Sequence, residues 1–166
     1  MAKRHKSLIE LSHDHHHGLA FALRLRQGDN ALLNDGWTHD RSEQAKRVKG
    51  FYDEELSLHF KEEEDVLFPA MVKEVPRCSG LVATLIEQHR QMERLIAEIA
   101  TSDEVALMRQ LVEFGELLEQ HIRSEERSLF PIFESEVSGE VAFRVGEQLG
   151  RIRNEILTKR RSEVRR

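Results

Sequence analysis

The sequence predicts an all-α fold, an up-down four-helix bundle with an additional C-terminal helix. Apolar residues recur at spacings of three and four over long stretches, and the alternating pattern of a half-buried strand is found nowhere. Only 3 prolines occur in 166 residues, and glycines or capping signals separate the apolar stretches. We therefore expect one domain over residues 1–166, with the bundle at about 7–133 and the C-terminal helix at about 140–158.

Start and stop signals delimit the helices. Ser7-Leu8-Ile9-Glu10 is a capping box that opens the first helix, and Gly28-Asp29-Asn30 closes it. Thr101-Ser102-Asp103-Glu104 is a second capping signal, before the fourth helix. The remaining helices are expected at about 40–71, 81–100 and 140–158.

Composition and charge exclude several classes of protein. The 39% hydrophobic and 33% charged residues fit a globular helical protein, and the net charge of −5 argues against a nucleic-acid binder. The single cysteine, Cys78, excludes an internal disulfide and fits a reducing compartment. No run approaches the roughly 18 apolar residues of a membrane span, and the N-terminus has no apolar signal segment. We expect a cytoplasmic protein without membrane contact.

A motif with a histidine and a glutamate four residues apart occurs twice in the sequence. His59-Phe60-Lys61-Glu62-Glu63 is followed by Leu67-Phe68-Pro69, and His121-Ile122-Arg123-Ser124-Glu125 is followed by Leu129-Phe130-Pro131. A histidine and a glutamate four residues apart lie on one face of a helix. We expect each proline to end its helix, because proline lacks the N–H and clashes with the preceding turn. The repeat of His-x-x-x-Glu on two helices predicts metal ions held between them.

The histidines of these motifs occur on the apolar faces. The inward series are Val48, Tyr52, Leu56, His59, Glu63, Val66 in the second helix, Leu85, His89, Met92, Ile96 in the third, and Leu107, Leu111, Phe114, Leu118, His121, Glu125, Leu129 in the fourth. For the first helix, the series Leu8, Leu11, His15, Leu19, Ala22 is preferred to the rival Ser12, His16, Leu19, Leu23. Adjacent helical residues point about 100° apart, so we expect only one of His15 and His16 to be a ligand.

Carboxylates and imidazoles that converge in an apolar core need cations, because an unpartnered buried carboxylate costs several kcal/mol or takes up a proton. The predicted metal ligands are His15, His16, His59, Glu63, His89, His121 and Glu125. Imidazole and carboxylate without thiolate suit iron, manganese or zinc, and this many donors suit two ions roughly 3.5–4 Å apart with bridging glutamates. The residues expected on the surface are Glu62, Glu64, Asp65, Glu126, His5, His13, His17 and His39.

These residues resemble the hemerythrin family, the His-His-Glu cation-binding domains, over about residues 7–133. The matching motifs are Leu11-Ser-His-Asp-His15-His16, the two His-x-x-x-Glu…Leu-Phe-Pro segments, and Glu87-Gln88-His89. The resemblance implies a non-haem site of two iron ions, oxo- or hydroxo-bridged, that meets dioxygen, nitric oxide or peroxide.

The sequence departs from the oxygen-carrying hemerythrins in two places. The positions four either side of His89 are Leu85 and Glu93 rather than a second histidine, and the last carboxylate is Glu125, spaced four from its histidine, rather than an aspartate spaced five. The set is more similar to the four-His, two-Glu arrangement of the bacterial iron–sulfur repair proteins and related sensors. Glu93 is a further candidate ligand.

We therefore expect a di-iron binding protein that binds or senses dioxygen or nitric oxide, or handles iron, in preference to an enzyme. The alternative is a redox enzyme or an iron–sulfur repair activity at the same site, with peroxide or nitric oxide reduction or iron delivery. A third hypothesis gives the metals a purely structural role. We expect a small diatomic ligand or peroxide as partner and neither nucleic acid nor membrane, and a homodimer stays open.

Overall fold

The computed structural model describes residues 4–32 and 36–164. Within these ranges the chain is all-helical and forms a bundle of five long helices: α1 Ile9–Gln27, α2 41–74, α3 Ser79–Ile99, α4 104–136 and α5 Gly139–Val164. Residues 1–3, 33–35 and 165–166 of the expected domain lie outside the described ranges. The all-α expectation is confirmed for the described residues, and the up-down order of the four bundle helices stays a prediction.

Helix α4 is the centre of the bundle, since α1 and α3 both pack along it. The approach of α1 to α4 is close at Gly115, where an added Cβ would lie 2.9 Å from the carbonyl oxygen of Ala22 and 3.0 Å from the Cβ of Leu25. Helix α2 contacts α3 and α5. Glycine at position 115 therefore sets the spacing of the two helices that carry His15 and His121.

The buried apolar residues form two separate clusters along the bundle. One includes Leu11, Phe68 and Phe130, and the other includes Ala22 and Phe114. On α1, α2, α3 and α4 alike, the predicted ligands occur between residues of the first cluster and residues of the second. The polar residues are thus enclosed in the middle of the bundle, with an apolar core on either side.

Helix α2 does not end at about residue 71, just after Pro69, as the sequence led us to expect, but continues to Glu74. The turn before the proline is π-helical, because the N–H of Phe68 bonds the carbonyl of Glu63, five residues back. The wider turn gives the proline ring room that a regular helix denies it. Pro69 then lies in the first turn of the next α-helical segment, where a missing N–H is tolerated. The predicted helix end is wrong for this reason.

Helix α4 repeats this arrangement at Pro131 and continues to Glu136. The N–H of Phe130 bonds the carbonyl of Glu125, again five residues back. The predicted helix end is therefore wrong here too. In both copies of the motif the π-helical turn begins at the glutamate of His-x-x-x-Glu.

The capping box predicted at Ser7 is not formed. Ser7 belongs to a short 3₁₀ turn, Lys6–Leu8, and α1 begins at Ile9 without a side-chain cap. The Ser7 hydroxyl instead donates to the carbonyl of Ala142 in α5, at 2.7 Å. Gly146 permits this contact, since a Cβ there would lie 2.7 Å from the Ser7 Oγ. The Ser7 hydroxyl therefore bonds α5 and does not cap the start of α1.

A helix does begin at the second capping signal, but its cap is Asp103 and not Thr101, whose hydroxyl donates to the carbonyl of Glu98. The carboxylate of Asp103 accepts a hydrogen bond from the N–H of Ala106 at 2.9 Å, and α4 begins at Glu104. Helix α5 packs on the bundle through Ala142, Val145 and Leu149, all buried. In the part of the chain that the structure describes, no helix combines the length and the apolar character that a membrane span requires.

Candidate metal centre

Six of the seven predicted ligands meet in the middle of the bundle. Each is at most 3% exposed, and they come from four helices: His15 on α1, His59 and Glu63 on α2, His89 on α3, and His121 and Glu125 on α4. Their side-chain donor atoms form two groups, each with all atoms within 4.8 Å of one another. One group holds His15, His59, Glu63 and Glu125, and the other holds Glu63, His89 and His121.

The four histidines form two pairs that present their Nε2 atoms to each other. The Nε2 atoms of His15 and His59 are 3.0 Å apart, and those of His89 and His121 are 3.1 Å apart. Aromatic rings hold the imidazoles in place. Phe60 stacks on His89 with ring centroids 3.7 Å apart.

The two glutamates lie between these pairs. One carboxylate oxygen of Glu63 is 3.1 Å from the Nε2 of His59, and the other is 3.3 Å from the Nε2 of His89. A single oxygen of Glu125 is 3.1 Å from His15 and 3.3 Å from His121. Each carboxylate therefore faces both histidine pairs, as a carboxylate that bridges two ions must.

The Nδ1 atom of every one of these histidines bonds a side chain of another helix. We call these four side chains the outer partners. They are Glu126 for His15 at 2.7 Å, Asp14 for His59 at 3.1 Å, Glu64 for His89 at 2.8 Å, and Gln88 for His121 at 3.1 Å. The bonds run in a closed ring, because α4 supports α1, α1 supports α2, α2 supports α3 and α3 supports α4.

The outer partners determine where the histidine protons are. A carboxylate oxygen and an amide oxygen only accept, so each Nδ1 carries the proton and donates it outward. In the neutral imidazole the inward Nε2 is then a lone-pair acceptor. Two such acceptors about 3 Å apart repel each other unless a proton or a metal ion lies between them. The same arrangement fixes ring orientation and raises ligand basicity in known metal sites.

Without a cation, the buried groups compete for protons. Burial disfavours the charged form of His59, but the charge of Glu63 and the bond to Asp14 outweigh it and raise its pKa well above the ordinary value. Burial and the charge of Glu63 raise the pKa of Glu125 to about 7. Burial and the charge of His89 lower the pKa of His121 well below the usual range. Metal binding would displace the protons that the metal-free site holds.

Three of the four outer partners form ion pairs with arginines. Arg4 pairs with Glu126, Arg90 pairs with Glu64, and Arg153 pairs with Asp14. Burial raises the pKa of Glu126, but its bonds to His15 and Ser12 prevail and hold that pKa at about 2. Bonds from His59 and Arg153 likewise overcome the effect of burial on Asp14 and hold its pKa at about 2. These two outer partners stay ionised at physiological pH.

The residues present fit bound metal cations. All four carboxylate oxygens of Glu63 and Glu125 are buried and accept no hydrogen bond from residues 4–32 or 36–164, although imidazole nitrogens lie 3.1–3.3 Å from three of them. These contacts are close but lack hydrogen-bond geometry, which is how donors around a common ion are arranged. Buried polar groups are normally hydrogen-bonded, so unsatisfied carboxylates call for a cation.

Three residues that we expected on the surface belong to the surroundings of this site. Glu64 and Glu126 are outer partners, and Glu62 is 1% exposed and paired with Arg153. The expectation is wrong for these three because helices α1, α3 and α5 pack against positions next to the inward stripe. Asp65 does form the expected exposed pair, with Lys61.

The structure separates the two adjacent histidines of α1. His15 lies inside the cluster, whereas His16 is exposed and outside it. Glu93 also lies outside the cluster, since its carboxylate accepts from the Tyr52 hydroxyl and from Arg90. Of the other histidines, His13 and His17 are exposed and His5 and His39 are half-buried.

The sequence reasoning missed the outer partners, yet their positions carry a signal. Asp14 and Gln88 each precede an inward histidine by one residue, and Glu64 and Glu126 each follow an inward glutamate by one residue. A helical neighbour borders the inward stripe at about 100°, within reach of the adjoining helix. A polar side chain directly beside His15, Glu63, His89 and Glu125 is the pattern that would have found them.

Comparison with known proteins agrees with this geometry. The family model of the hemerythrin HHE cation-binding domain matches residues 7–133, which contain all six clustered side chains and all four outer partners. A search of curated proteins and a search of solved structures gave no match. Proteins of this family bind metal cations, typically iron, through such histidine and glutamate clusters. The chain therefore belongs to the hemerythrin HHE cation-binding family.

Proposed function

We propose that this protein holds two iron ions and uses them to bind or sense a small ligand, such as dioxygen or nitric oxide, or to handle iron. His15 and His59 would hold one ion, His89 and His121 the other, and Glu63 and Glu125 would serve both. The observation that carries the proposal is the position of Glu63, whose two oxygens lie 3.1 Å and 3.3 Å from histidines of different pairs. A site for a single ion would not need a carboxylate turned both ways.

The donor set favours iron. Four imidazoles and two carboxylates without a thiolate suit iron, manganese and zinc, and a structural zinc site would be tetrahedral with closed coordination. Bound iron would supply a redox-active Lewis acid for a small ligand. Manganese and zinc are the alternatives that elemental analysis would detect.

A cavity beside the histidines supports a very small ligand. Its volume is about 10 Å³, enough for about one water-sized molecule. His15, His59 and His121 line it together with apolar side chains that include Phe60 and Leu118. These walls keep bulk water away from the histidines and leave room for about one water-sized molecule, not for an organic substrate.

The test is a spectroscopic titration of the iron-loaded protein. Reduced protein is exposed to dioxygen or nitric oxide, and oxidised protein to azide, while the visible spectrum and the iron content are followed. We expect about two irons per chain and bands that shift with each ligand. An iron-loaded protein whose visible spectrum does not change with dioxygen, nitric oxide or azide would overturn the proposal.

Two adjacent histidines provide a matched pair of variants. Because His15 is buried in the cluster and His16 is exposed, His15→Ala should lose iron and the ligand response, and His16→Ala should retain both. Direct loss of a ligand should weaken binding by at least the roughly 10–100-fold that outer partners contribute in other metal proteins. Equal iron loss in both variants would contradict the assignment of His15.

The competing proposal is turnover at the same metal pair, as in a redox enzyme or an iron–sulfur repair protein. Steady-state consumption of peroxide or nitric oxide, supplied with a reductant, separates the two functions. Consumption that stops at two electrons per metal pair supports binding or sensing. Continued consumption supports the enzyme.

A further inference from the structure

Helix α5 lies beyond the region that matches the family model, yet one of its side chains connects to the metal centre. Arg153 donates to Asp14 from Nη1 at 3.4 Å and from Nη2 at 2.5 Å. The same guanidinium donates to Glu62 through Nε at 2.7 Å and through Nη2 at 2.5 Å. Asp14 in turn accepts from the Nδ1 of His59, at 3.1 Å.

The guanidinium holds two carboxylates that would otherwise repel each other. Glu62 is only 1% exposed and Asp14 is partly buried, so neither charge is well solvated. A planar guanidinium can bond both carboxylates at fixed angles, which a lysine cannot do. Arg153 thus fixes the carboxylate of Asp14 beside His59.

The other arginines near the centre differ from Arg153. Arg4, which pairs with Glu126 beside His15, also lies outside the matched region and its side chain is 24% exposed, but it precedes α1 and belongs to no helix. Arg90, which stands behind His89 through Glu64, has a side chain 43% exposed, against 20% for Arg153. Behind His121 the outer partner is an amide, Gln88, which carries no charge for an arginine to pair with. The connection through Arg153 is the one made by a helix outside the family domain.

We propose that Arg153 is a positioning residue through which helix α5 controls how tightly the ion at His15 and His59 is held. The inference rests on the proposed di-iron function. Loss of Arg153 frees Asp14 to turn away, so His59 loses the partner that orients its ring and raises its basicity. The ion at His89 and His121 has separate outer partners and is not affected.

Helix α5 contains a matched control. Arg160 also anchors α5 to α2, with bonds to the carbonyl of Glu54 at 2.7 Å and to the hydroxyl of Ser57 at 3.0 Å. It touches neither an outer partner nor a predicted ligand. Arg160→Gln therefore removes a comparable helix contact without touching the route to His59.

The experiment measures release of ferrous iron from the full-length protein to a colorimetric chelator, without oxygen. We expect one of the two irons to leave Arg153→Gln about 10-fold faster than wild type, the low end of the range for outer partners. The second iron should leave at the wild-type rate, and Arg160→Gln should match wild type for both. Asp14→Asn combined with Arg153→Gln should release iron no faster than Asp14→Asn alone, because the two residues act in series.

A further variant separates positioning from folding. Arg153→Gln leaves Glu62 as a buried, unpaired charge, so it can lower stability by itself. Combining it with Glu62→Gln removes that charge, and we expect the double variant to recover its unfolding midpoint while it keeps the fast release of one iron. Recovery of wild-type release together with stability would overturn the inference.

The outcomes distinguish this inference from the proposed function. Wild-type protein with fewer than two irons would overturn the proposed function and this inference with it. Wild-type protein with two irons, and equal release rates in Arg153→Gln and Arg160→Gln, would overturn this inference alone. Faster release of both irons from Arg153→Gln would also overturn it, because the effect of Arg153 would then not be confined to one ion.

Discussion

The two copies of His-x-x-x-Glu on α2 and α4 are alike within their own helices and different in what surrounds them. In both, the glutamate starts a π-helical turn and the following proline lies inside a continuing helix. The histidine of the first copy, His59, donates to the carboxylate of Asp14, which Arg153 holds. The histidine of the second copy, His121, donates to the neutral amide of Gln88.

On the proposed assignment, the motif would supply the metal ligands and the neighbouring helices would tune them. A carboxylate partner makes an imidazole a stronger donor to a metal than an amide partner does. The pKa values of the two histidines also differ in direction. The charge of Glu63 and the bond to Asp14 outweigh burial and raise the pKa of His59, whereas burial and the charge of His89 lower the pKa of His121. We therefore expect the duplicated motif to form a centre with two unequal halves.

The largest effect should come from the residue that the two halves share. Glu63→Gln removes one negative charge that faces both histidine pairs, so we expect the affinity for both irons to fall by at least about 100-fold. Elemental analysis after dialysis measures the loss. Asp65→Asn is the control, because Asp65 is exposed on the same helix and pairs with Lys61. Retention of two tightly bound irons in Glu63→Gln would show that Glu63 does not bridge.

A smaller effect should follow from exchanging the two kinds of outer partner. Asp14→Asn gives His59 an amide, so we expect one iron to bind about 10-fold more weakly. Gln88→Glu gives His121 a carboxylate, so we expect the other iron to be released more slowly.

In Gln88→Glu we expect the stability of the metal-free protein to fall although iron is held more tightly. Gln88 is 5% exposed, and a buried carboxylate there would lower the unfolding midpoint of the metal-free protein. Chelator competition and thermal unfolding measure the two quantities. Identical changes in iron release in Asp14→Asn and Gln88→Glu would contradict the inequality of the two halves.

The smallest effect is expected at the prolines, which lie inside a continuing helix after both copies of the motif. Pro69→Ala and Pro131→Ala should each change the free energy of unfolding by less than about 1 kcal/mol, because the π-helical turns already accommodate the prolines. A proline strained inside a regular helix would give a gain of about 3 kcal/mol on replacement by alanine. Denaturant unfolding of the metal-free variants measures the change, and a gain of that size would show that the turns are strained.

Much of the fold was predictable from the sequence, because it depends on periodicity within single helices. The inward series of α3 and α4 are buried as expected. On α1 the series through His15 is buried except for the half-buried Leu19, while His16 is exposed. Ligand positions follow from the same spacing, since His59 and Glu63 share a face of one helix. The ligand assignment itself stays a prediction until metal is measured.

What the sequence did not predict depends on contacts between helices or on a local change of helix type. The bond from His15 to Glu126 joins residues 111 positions apart, and no periodicity within α1 or α4 reports it. The burial of Glu62 requires α5 to place Arg153 over it. The π-helical turns let Pro69 and Pro131 lie inside helices, which proline chemistry in a regular helix forbids.

Anomalous diffraction at the iron absorption edge, from crystals of the iron-loaded protein, tests the central claim most directly. We expect two peaks roughly 3.5–4 Å apart, the usual separation in two-metal sites. One peak should lie at His15 and His59 and the other at His89 and His121, with the carboxylate of Glu63 between them. A single peak, or peaks away from these histidines, would contradict it.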